Sequence, residues 1–211
     1  MDYFCPYFYS MSKELWNERY QHTSEYIYGK SPNLYFEQVI RKLRPSLVLL
    51  PADGEGRNAV FAAKFGCDVY AFDQSEAAMQ KALLLAKEQQ VKIDYRIADL
   101  ENVQYQDENF DLIGLVYIHL PETIRRKIFR DLIRFLRPGG YVMLEAFTKK
   151  HFGNTSSGPK TVDLLYEASD VREDFAHLEI VEFYETNIEI DEGPLHQGPA
   201  EIVRLLARKP V

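Results

Sequence analysis

The chain has 211 residues, 46% of them hydrophobic and 27% charged, and a formal net charge of −7 at pH 7. This length suits one sizeable domain, and the acidic balance disfavours a nucleic-acid binder that relies on a basic face. Two cysteines imply no disulfide framework, so we expect a reducing, cytoplasmic environment. We expect neither a secretory signal nor a membrane span, because the amino terminus lacks a basic leader and the longest apolar stretch, residues 112–120, is too short.

The first 31 residues are rich in aromatic side chains and predict a cap over the remaining domain. Ser12 is the expected N-cap of a short helix that carries Trp16 and Tyr20. Core packing is the favoured interpretation for most of these residues. Tyr28 is the exception, because it sits beside the flexible Gly29 and is a candidate for the wall of an active site.

A glycine turn between a strand and a helix organises the next part of the chain. Ser31 followed by Pro32 predicts the start of one helix, after which residues 47–50 form a short buried strand. Residues 53–56 then make a tight turn, and residues 57–65 have helical spacing. Backbone amides at such a helix start can face the polar end of a nucleotide-like ligand. An ordinary turn without a ligand explains this pattern equally well.

Two later strands each end in an acid. Asp73 closes a strand over residues 68–73 and lies 19 positions beyond Gly54, a spacing that suits a carboxylate binding ribose hydroxyls. Asp99 follows a strand over residues 91–98. Either acid alone is as typical of a turn or a helix cap as of a ligand-binding carboxylate. Two in succession favour a nucleotide pocket.

The rest of the chain continues the alternation of strands and helices. The predicted strands cover residues 110–118, 141–147, 178–190 and 201–207, with a helix over residues 123–137 and a hairpin loop over residues 191–199. The loop over residues 148–160 is long enough to be a functional lid. This alternation predicts parallel crossovers with helices on both faces of one sheet.

Three features carry a resemblance to a known family. These are Asp99 after the third strand, the Leu-Arg-Pro-Gly-Gly run at residues 136–140, and the hairpin of the last two strands. Residues 54–59 also fit the dinucleotide-binding pattern, but the three features together resemble class I S-adenosylmethionine-dependent methyltransferases over residues 32–208. Four segments resemble, more narrowly, the tellurite-resistance type of methyltransferase: residues 16–20, 28–33, 54–59 and 192–198.

The resemblance implies an α/β fold: a doubly wound, mostly parallel, seven-stranded Rossmann-like sheet whose last strand is antiparallel. It implies a single domain over residues 1–211, with an aromatic cap at residues 1–31 and the core at 32–208. It also implies S-adenosyl-L-methionine as the cofactor. The implied cofactor-binding residues are Gly54 and Gly56 at the methionine part, Asp73 with Gln74 at the ribose, and Asp99 with Leu100 at the adenine.

One departure from the family pattern concerns the methionine end of the cofactor. The family has an acid at the end of the first strand and a glycine two positions later, where this chain has Leu50 and Ala52. Asp53 is the neighbouring carboxylate that can replace the missing acid.

Methyl transfer needs an aligned acceptor, exclusion of water and a group that removes any proton that is lost. No metal is required, and the five histidines lack ligand-like spacing. His119 and His196 follow or precede strands whose ends should face the substrate, so these two and Tyr28 are the catalytic candidates. Taken alone, a loop histidine is more often structural, as we expect for His151.

Three functional hypotheses follow. The first is a methyltransferase for a small molecule or a chalcogen oxyanion, acting as a monomer or homodimer without nucleic-acid or membrane partners. The second is a nicotinamide-dependent Rossmann oxidoreductase, which the position of Asp99 and the terminal hairpin disfavour. The third is a nucleotide-binding protein without catalysis, which the missing acid at Leu50 keeps open.

Overall fold

The computed structural model describes residues 6–154 and 157–211, with side chains from residue 13 onward. Its helices are α1 Pro6–Gln21, α2 Leu34–Leu43, α3 Arg57–Phe65, α4 Glu76–Glu88, α5 Glu122–Ile133 and α6 Ala168–Asp174. Its strands are β1 Leu47–Pro51, β2 Asp68–Asp73, β3 Asp94–Ile97, β4 Phe110–Val116, β5 Leu136–Phe147, β6 Glu179–Asp191 and β7 Gln197–Arg208. Two short 3-10 helices cover Lys149–His151 and Val162–Leu164. None of the helices described is long and apolar enough to cross a membrane.

The strands form one seven-stranded sheet in the order β3-β2-β1-β4-β5-β7-β6. Neighbours from β3 to β5 pair in parallel, whereas β7 pairs antiparallel with both β5 and β6. This confirms the predicted doubly wound sheet with an antiparallel last strand. Because ligands bind beyond the carboxyl ends of the parallel strands in such sheets, this edge is the place to look for a site.

Helices cover both faces of the sheet. Successive residues of a strand point to opposite faces, and in β1 Leu49 joins one hydrophobic cluster while Val48 and Leu50 join another. The first cluster includes side chains of α5 and α6, and the second includes side chains of α2, α3 and α4. A strand buried on both faces explains why β1 is an unbroken apolar run.

The predicted starts of the first two helices were wrong, whereas the helix over residues 57–65 begins as predicted. The first helix begins at Pro6, so Ser12 lies inside it and is not its N-cap. The second begins at Leu34 with Asn33 as N-cap, whose side chain accepts a hydrogen bond from the amide of Phe36. An N-cap side chain accepts a hydrogen bond from the amide of a residue two or three positions further on. This satisfies one of the amide donors that the helix itself leaves without a partner.

The boundaries around β5 and β7 also differ from the prediction. Helix α5 ends at Ile133, and β5 already begins at Leu136, so the Pro-Gly-Gly run lies within the strand. A register shift in the β4–β5 pairing accommodates that run, and Gly139 has a φ of +76° there. Strand β7 likewise begins at Gln197, which shortens the predicted hairpin loop.

Candidate cofactor and substrate site

The carboxyl ends of β1, β2 and β3 meet at one edge of the sheet. Asp73, the last residue of β2, stands in register with Ile97 of β3, and its carbonyl oxygen accepts a hydrogen bond of 3.0 Å from the amide of Ala98. Asp99 follows directly. The two acids singled out in the sequence therefore lie at the same edge.

The glycine turn is fastened to the end of β2. The amide of Gly54 donates to Asp73 Oδ2 at 3.1 Å, and the carbonyl of Gly54 accepts a hydrogen bond of 2.6 Å from the hydroxyl of Tyr95. Gly54 has a φ of +59°, and a Cβ added there would lie 2.7 Å from Tyr20 Oη. Tyr20 of α1 thus lies over the turn, so the aromatic cap forms a wall of any ligand space beside Gly54.

Gly56 serves a different purpose, which is close packing of two helices. An added Cβ would lie 2.5 Å from Ala82 Cβ and 2.8 Å from Ala82 Cα, so α4 can approach the start of α3 only because residue 56 has no side chain. Ala52 occupies the position of the usual family glycine with a φ of +50°. Leu50, at the position of the usual acid, is buried in the core.

Burial raises the pKa of both carboxylates beside the turn. The pKa of Asp73 rises to about 6, although the backbone amides of Ser75, Gly54 and Gln74 act in the opposite direction. Burial likewise raises the pKa of Asp53 to about 7, against a hydrogen bond from the amide of Ala59. Hydrogen-bond donors on a ligand stabilise the ionised form of such a group, so binding here is linked to proton release.

The remaining predicted cofactor residues lie on the two loops that follow β2 and β3. Gln74 is half-buried beside Asp73. Asp99 is half-buried and accepts a hydrogen bond of 2.8 Å from the amide of Glu101. Leu100 packs against the core cluster under this edge.

Three loops that are far apart in the sequence form one side of the site, and we call them the rim loops: residues 26–33, 53–56 and 192–196. Gly193 packs so tightly that an added Cβ would lie 2.4 Å from the amide nitrogen of Gly29. The amide of Leu195 donates to the carbonyl of Ile27 at 3.1 Å. The narrow family resemblance therefore falls on segments that touch one another.

Glu192 joins the rim loops through three donors. Its carboxylate accepts hydrogen bonds from Arg57 Nη2 at 2.7 Å and Asn33 Nδ2 at 3.1 Å, and lies 2.9 Å from His196 Nδ1. Burial would raise the pKa of Glu192, but the hydrogen bond from His196 and the charge of Arg57 outweigh it and lower the pKa to about 2. Glu192 is therefore an anion that holds the His196 ring in one orientation.

Glu145 is a second buried anion, which the sequence interpretation missed. It is fully buried in β5 and accepts hydrogen bonds from Asn33 Nδ2 and Arg204 Nε, both at 2.6 Å, and from the Tyr117 hydroxyl at 2.7 Å. Tyr117 has a φ of +52°, an uncommon conformation for a bulky residue. The signal in the sequence was a lone acid within the apolar strand at residues 141–147.

Three histidines lie around one aromatic ring, that of Phe147, and Tyr28 contacts one of them. Its centroid is 5.6 Å from His119, 4.4 Å from His151 and 5.4 Å from His196. The ring of Tyr28 meets His196 edge to face at 5.7 Å. The structure thus brings Tyr28, His196 and His119 into one neighbourhood.

The hydrogen bonds separate these histidines. His119 Nδ1 lies 2.7 Å from the carbonyl of Leu164, its Nε2 accepts a longer bond of 3.4 Å from the amide of Phe147, and burial lowers its pKa to about 4. His119 is therefore neutral and held at both ring nitrogens. For His196, only Nδ1 has a hydrogen-bond partner among the described residues. Within the same residues, no group of His, Cys, Asp or Glu side chains has the arrangement of a metal site.

The family model described as "Methyltransferase domain" matches residues 48–140. That segment runs from β1 to the glycines within β5 and so contains the glycine turn, Asp73 and Asp99.

The sequence is similar to curated proteins over part of their length. It is 27% identical to hemagglutinin 1 of Eikenella corrodens over 82% of this chain and 58% of that protein. It is 36% identical to a sarcosine/dimethylglycine N-methyltransferase of Halorhodospira halochloris over 47% of this chain and 37% of that protein. The chain thus spans less than two thirds of these relatives.

Solved structures share the whole fold at low sequence identity. One, from work on the conversion of a disulfide bond into a thioacetal group during echinomycin biosynthesis, has a TM-score of 0.77 and 17% identity over 94% of this chain and 91% of that one. TehB from Haemophilus influenzae has a TM-score of 0.69 and 20% identity over 93% of this chain and 67% of that one. These likenesses establish the fold.

The fold and the family model point to the same class. Residues 48–140 match the methyltransferase domain model, and the whole chain has the Rossmann-like fold of solved methyltransferase structures. The cofactor of this domain is S-adenosylmethionine.

The residues at this edge fit that cofactor. Asp73 supplies a fixed carboxylate at the end of β2, which is the kind of acceptor that ribose hydroxyls need. Arg57 supplies a cationic donor, because its Nη1 is buried and has no hydrogen-bond partner among the described residues. A buried donor of this kind suits a ligand that carries a carboxylate.

Proposed function

We propose that this protein transfers the methyl group of S-adenosylmethionine to a small acceptor molecule. The observation that carries the proposal is the meeting of the glycine turn, Asp73 and Asp99 at one edge of the sheet, within the segment that matches the methyltransferase family model. The nicotinamide-dependent alternative lacks comparable support, since the terminal hairpin and the family match both point to methyl transfer.

Each part of the cofactor is assigned to one group of residues. Asp73 with Gln74 binds the ribose, Asp99 with Leu100 borders the adenine, and Gly54 with Asp53 faces the methionine part. Gly56 contributes indirectly, because it lets α4 pack against the turn. Bound there, the cofactor supplies an activated methyl group, so the protein mainly has to orient the acceptor and exclude water.

His196 is the group that we assign to removal of the acceptor's proton. Glu192 binds its Nδ1, which leaves Nε2 as the nitrogen that receives a proton. Tyr28 packs edge to face on the His196 ring and shields it from solvent. His119 borders the same aromatic cluster, but both of its ring nitrogens are engaged, so its contribution is the positioning of Phe147 rather than proton transfer.

The acceptor that we propose is a small molecule or a chalcogen oxyanion. The support is the narrow resemblance of the rim loops to tellurite-resistance methyltransferases, together with the burial of His196, whose ring Tyr28 contacts edge to face. A buried group of this kind suits a small molecule better than a macromolecule. We further propose that the protein works in the cytoplasm as a monomer or homodimer.

Thermal stabilisation by ligands tests the proposed class. A ligand that binds only the native state raises the melting temperature by mass action. S-adenosylhomocysteine at a concentration of about 100 Kd should stabilise the protein by ~2.7 kcal/mol, and NAD should leave the melting temperature unchanged. Stabilisation by NAD alone would reject the methyltransferase in favour of an oxidoreductase. Binding of S-adenosylhomocysteine without methyl transfer to thiols, selenite or tellurite would favour the hypothesis of a non-catalytic protein.

The affinity for S-adenosylhomocysteine should fall as the pH is lowered through about 6. Asp73 has a pKa of about 6 in the free protein, and ribose hydroxyls donate only to its ionised form, so binding below this pH must release a proton. The dissociation constant should then rise by up to about tenfold per pH unit below pH 6. Isothermal titration calorimetry from pH 5 to 8 measures it.

Two variants isolate the contribution of Asp73 to this pH profile. Asp73→Asn should bind more weakly at pH 8, by about 1.5–3 kcal/mol for each charge-assisted hydrogen bond lost, and should lose its share of the pH dependence. Asp68→Asn, at the exposed other end of β2, should match the wild type. If the pH dependence of the dissociation constant is unaltered in Asp73→Asn, the proton released on binding belongs to another group. Asp53 is then the nearest candidate.

Replacing His196 by Asn should lower the rate of methyl transfer to a protic acceptor by roughly 10²–10⁴-fold. The affinity for S-adenosylhomocysteine should stay within about threefold of wild type, because His196 packs on the rings of Tyr28, Tyr117 and Phe147 rather than on the glycine turn. His22→Asn, at an exposed residue directly after α1, is the matched control. Full activity of His196→Asn would remove His196 from the reaction.

A further inference from the structure

Arg57 carries a buried nitrogen that makes no hydrogen bond within the described residues. It is the first residue of α3, it is 7% exposed, and its Nη2 donates to Glu192 Oε2 at 2.7 Å. Its Nη1 is fully buried and has no hydrogen-bond partner among the described residues. A buried charged donor without an acceptor is destabilising, so its retention calls for a ligand that supplies the acceptor.

The described part of the chain leaves no acceptor for this nitrogen. The Glu192 carboxylate already receives Arg57 Nη2, His196 Nδ1 and Asn33 Nδ2. The other anion whose pKa the Arg57 charge affects is Asp53, which accepts from the amide of Ala59 and has a raised pKa of about 7. Arg57 and Asp53 therefore flank the glycine turn as one free cationic donor and one carboxylate.

We propose that Arg57 Nη1 binds a ligand carboxylate, and that this carboxylate belongs to the amino-acid end of S-adenosylmethionine. This inference rests on the proposed function. A zwitterion complements the pair at the turn: its carboxylate binds Arg57 and its ammonium group binds Asp53. The start of α3 adds backbone amides with the same preference for an anion.

The residues around the turn favour the cofactor over the acceptor as the source of the carboxylate. Leu50 and Ala52 offer no polar side chain, and the carboxylate of Glu55 is already paired with Lys81 at 2.8 Å. Asp53 and Arg57 are therefore the ionisable groups left at residues 50–57 to hold the charged end of the cofactor. Arg57 follows Gly56 directly and its charge favours the ionised form of Asp53, whereas His196, the group assigned to the acceptor, packs on the rings of Tyr28 and Tyr117.

Truncated ligands test the proposal on the unaltered protein. S-adenosylhomocysteine carries the full amino-acid end, its decarboxylated analogue lacks only the carboxylate, and 5′-methylthioadenosine lacks the whole end. The wild type should bind the decarboxylated analogue roughly 10–150-fold more weakly than S-adenosylhomocysteine. Equal affinities would overturn the proposal. Failure of the wild type to bind S-adenosylhomocysteine would overturn the proposed function as well, which separates the two results.

Variants of Arg57 locate the interaction. Arg57→Gln should weaken binding of S-adenosylhomocysteine by roughly 10–150-fold while changing the affinity for 5′-methylthioadenosine less than about twofold. Arg57→Lys keeps the positive charge but loses the two parallel donors of the guanidinium, so its affinity for S-adenosylhomocysteine should lie between those of the wild type and Arg57→Gln. Arg41→Gln, an exposed arginine of α2, should match the wild type with both ligands.

Two outcomes of the variant experiment would overturn the proposal. Equal weakening of both ligands would make Arg57 a structural residue of the rim loops. Unchanged binding of both ligands, together with a raised KM for an anionic acceptor such as selenite, would assign the anion site to the acceptor.

Discussion

Replacing Gly56 by Ala should lower the free energy of unfolding by about 4 kcal/mol. Two independent costs add at this residue. Its φ of +84° strains any residue with a Cβ, and the new Cβ would lie 2.5 Å from Ala82 Cβ and 2.8 Å from Ala82 Cα. Because one of these atoms belongs to the backbone of α4, the clash is relieved only if the whole helix moves. Urea unfolding at pH 7 measures the loss.

Gly66→Ala is the matched control for this prediction. Gly66 caps the other end of the same helix with a φ of +100°, and an added Cβ there would have no heavy atom within 4 Å. Its cost should therefore be the conformational strain alone, about 1–2 kcal/mol. If both variants lowered the free energy of unfolding by the same amount, the packing of α4 on Gly56 would contribute nothing to the loss in Gly56→Ala. Because the displaced helix also follows Asp73, Gly56→Ala should weaken cofactor binding too, whereas Gly66→Ala should not.

Replacing Glu145 by Ala should cost about 3–5 kcal/mol of stability. The fully buried carboxylate pairs with Arg204 and accepts from Asn33 and the Tyr117 hydroxyl. Its removal leaves the largely buried Arg204 cation and the Tyr117 hydroxyl without this acceptor, while Asn33 still donates to Glu192. Arg204 keeps its contact with Tyr184 and its position 4.9 Å from the ring of Tyr35. Thermal and urea unfolding measure the effect.

A second substitution distinguishes an unpaired charge from lost packing. The double variant Glu145→Met with Arg204→Met removes both charges and should recover most of the stability, since an apolar pair of similar volume can replace a buried ion pair. Glu179→Ala breaks an exposed ion pair between β6 and Arg208 of β7 and should cost no more than about 0.5 kcal/mol. Failure of the double variant to recover would indicate that the hydrogen bonds to Asn33 and Tyr117 dominate.

The elements of the fold were predictable because their signals are local. A buried parallel strand is an unbroken apolar run, a glycine turn precedes a helix, and an acid closes a strand; β1, the turn at residues 53–56 and Asp73 all appeared where expected. The predicted starts of the first two helices were wrong because several possible capping residues lie within a few positions of one another. In the second helix the N-cap is Asn33 and not Ser31. The start of β5 was wrong because its Pro-Gly-Gly run looks like a stop signal but is absorbed by a register shift in the sheet.

Only the tertiary structure revealed which polar groups belong together. The partners of Glu145 and Glu192 include residues 112, 135 and 159 positions away, and no periodicity records such a distance. The same contacts separate His196, held by Glu192 at one nitrogen, from His119, engaged at both.

The sequence by itself determined the order of strands and helices, the edge at which the glycine turn and the two acids meet, and the class of cofactor. The tertiary structure decided that Gly56 serves helix packing and that two buried anions hold the rim loops together. It also decided that one buried nitrogen of Arg57 has no hydrogen-bond partner within the described residues. The physical reason is range: strands and turns are specified by neighbours along the chain, whereas a buried charge is satisfied by groups that the sheet order alone brings within hydrogen-bond distance.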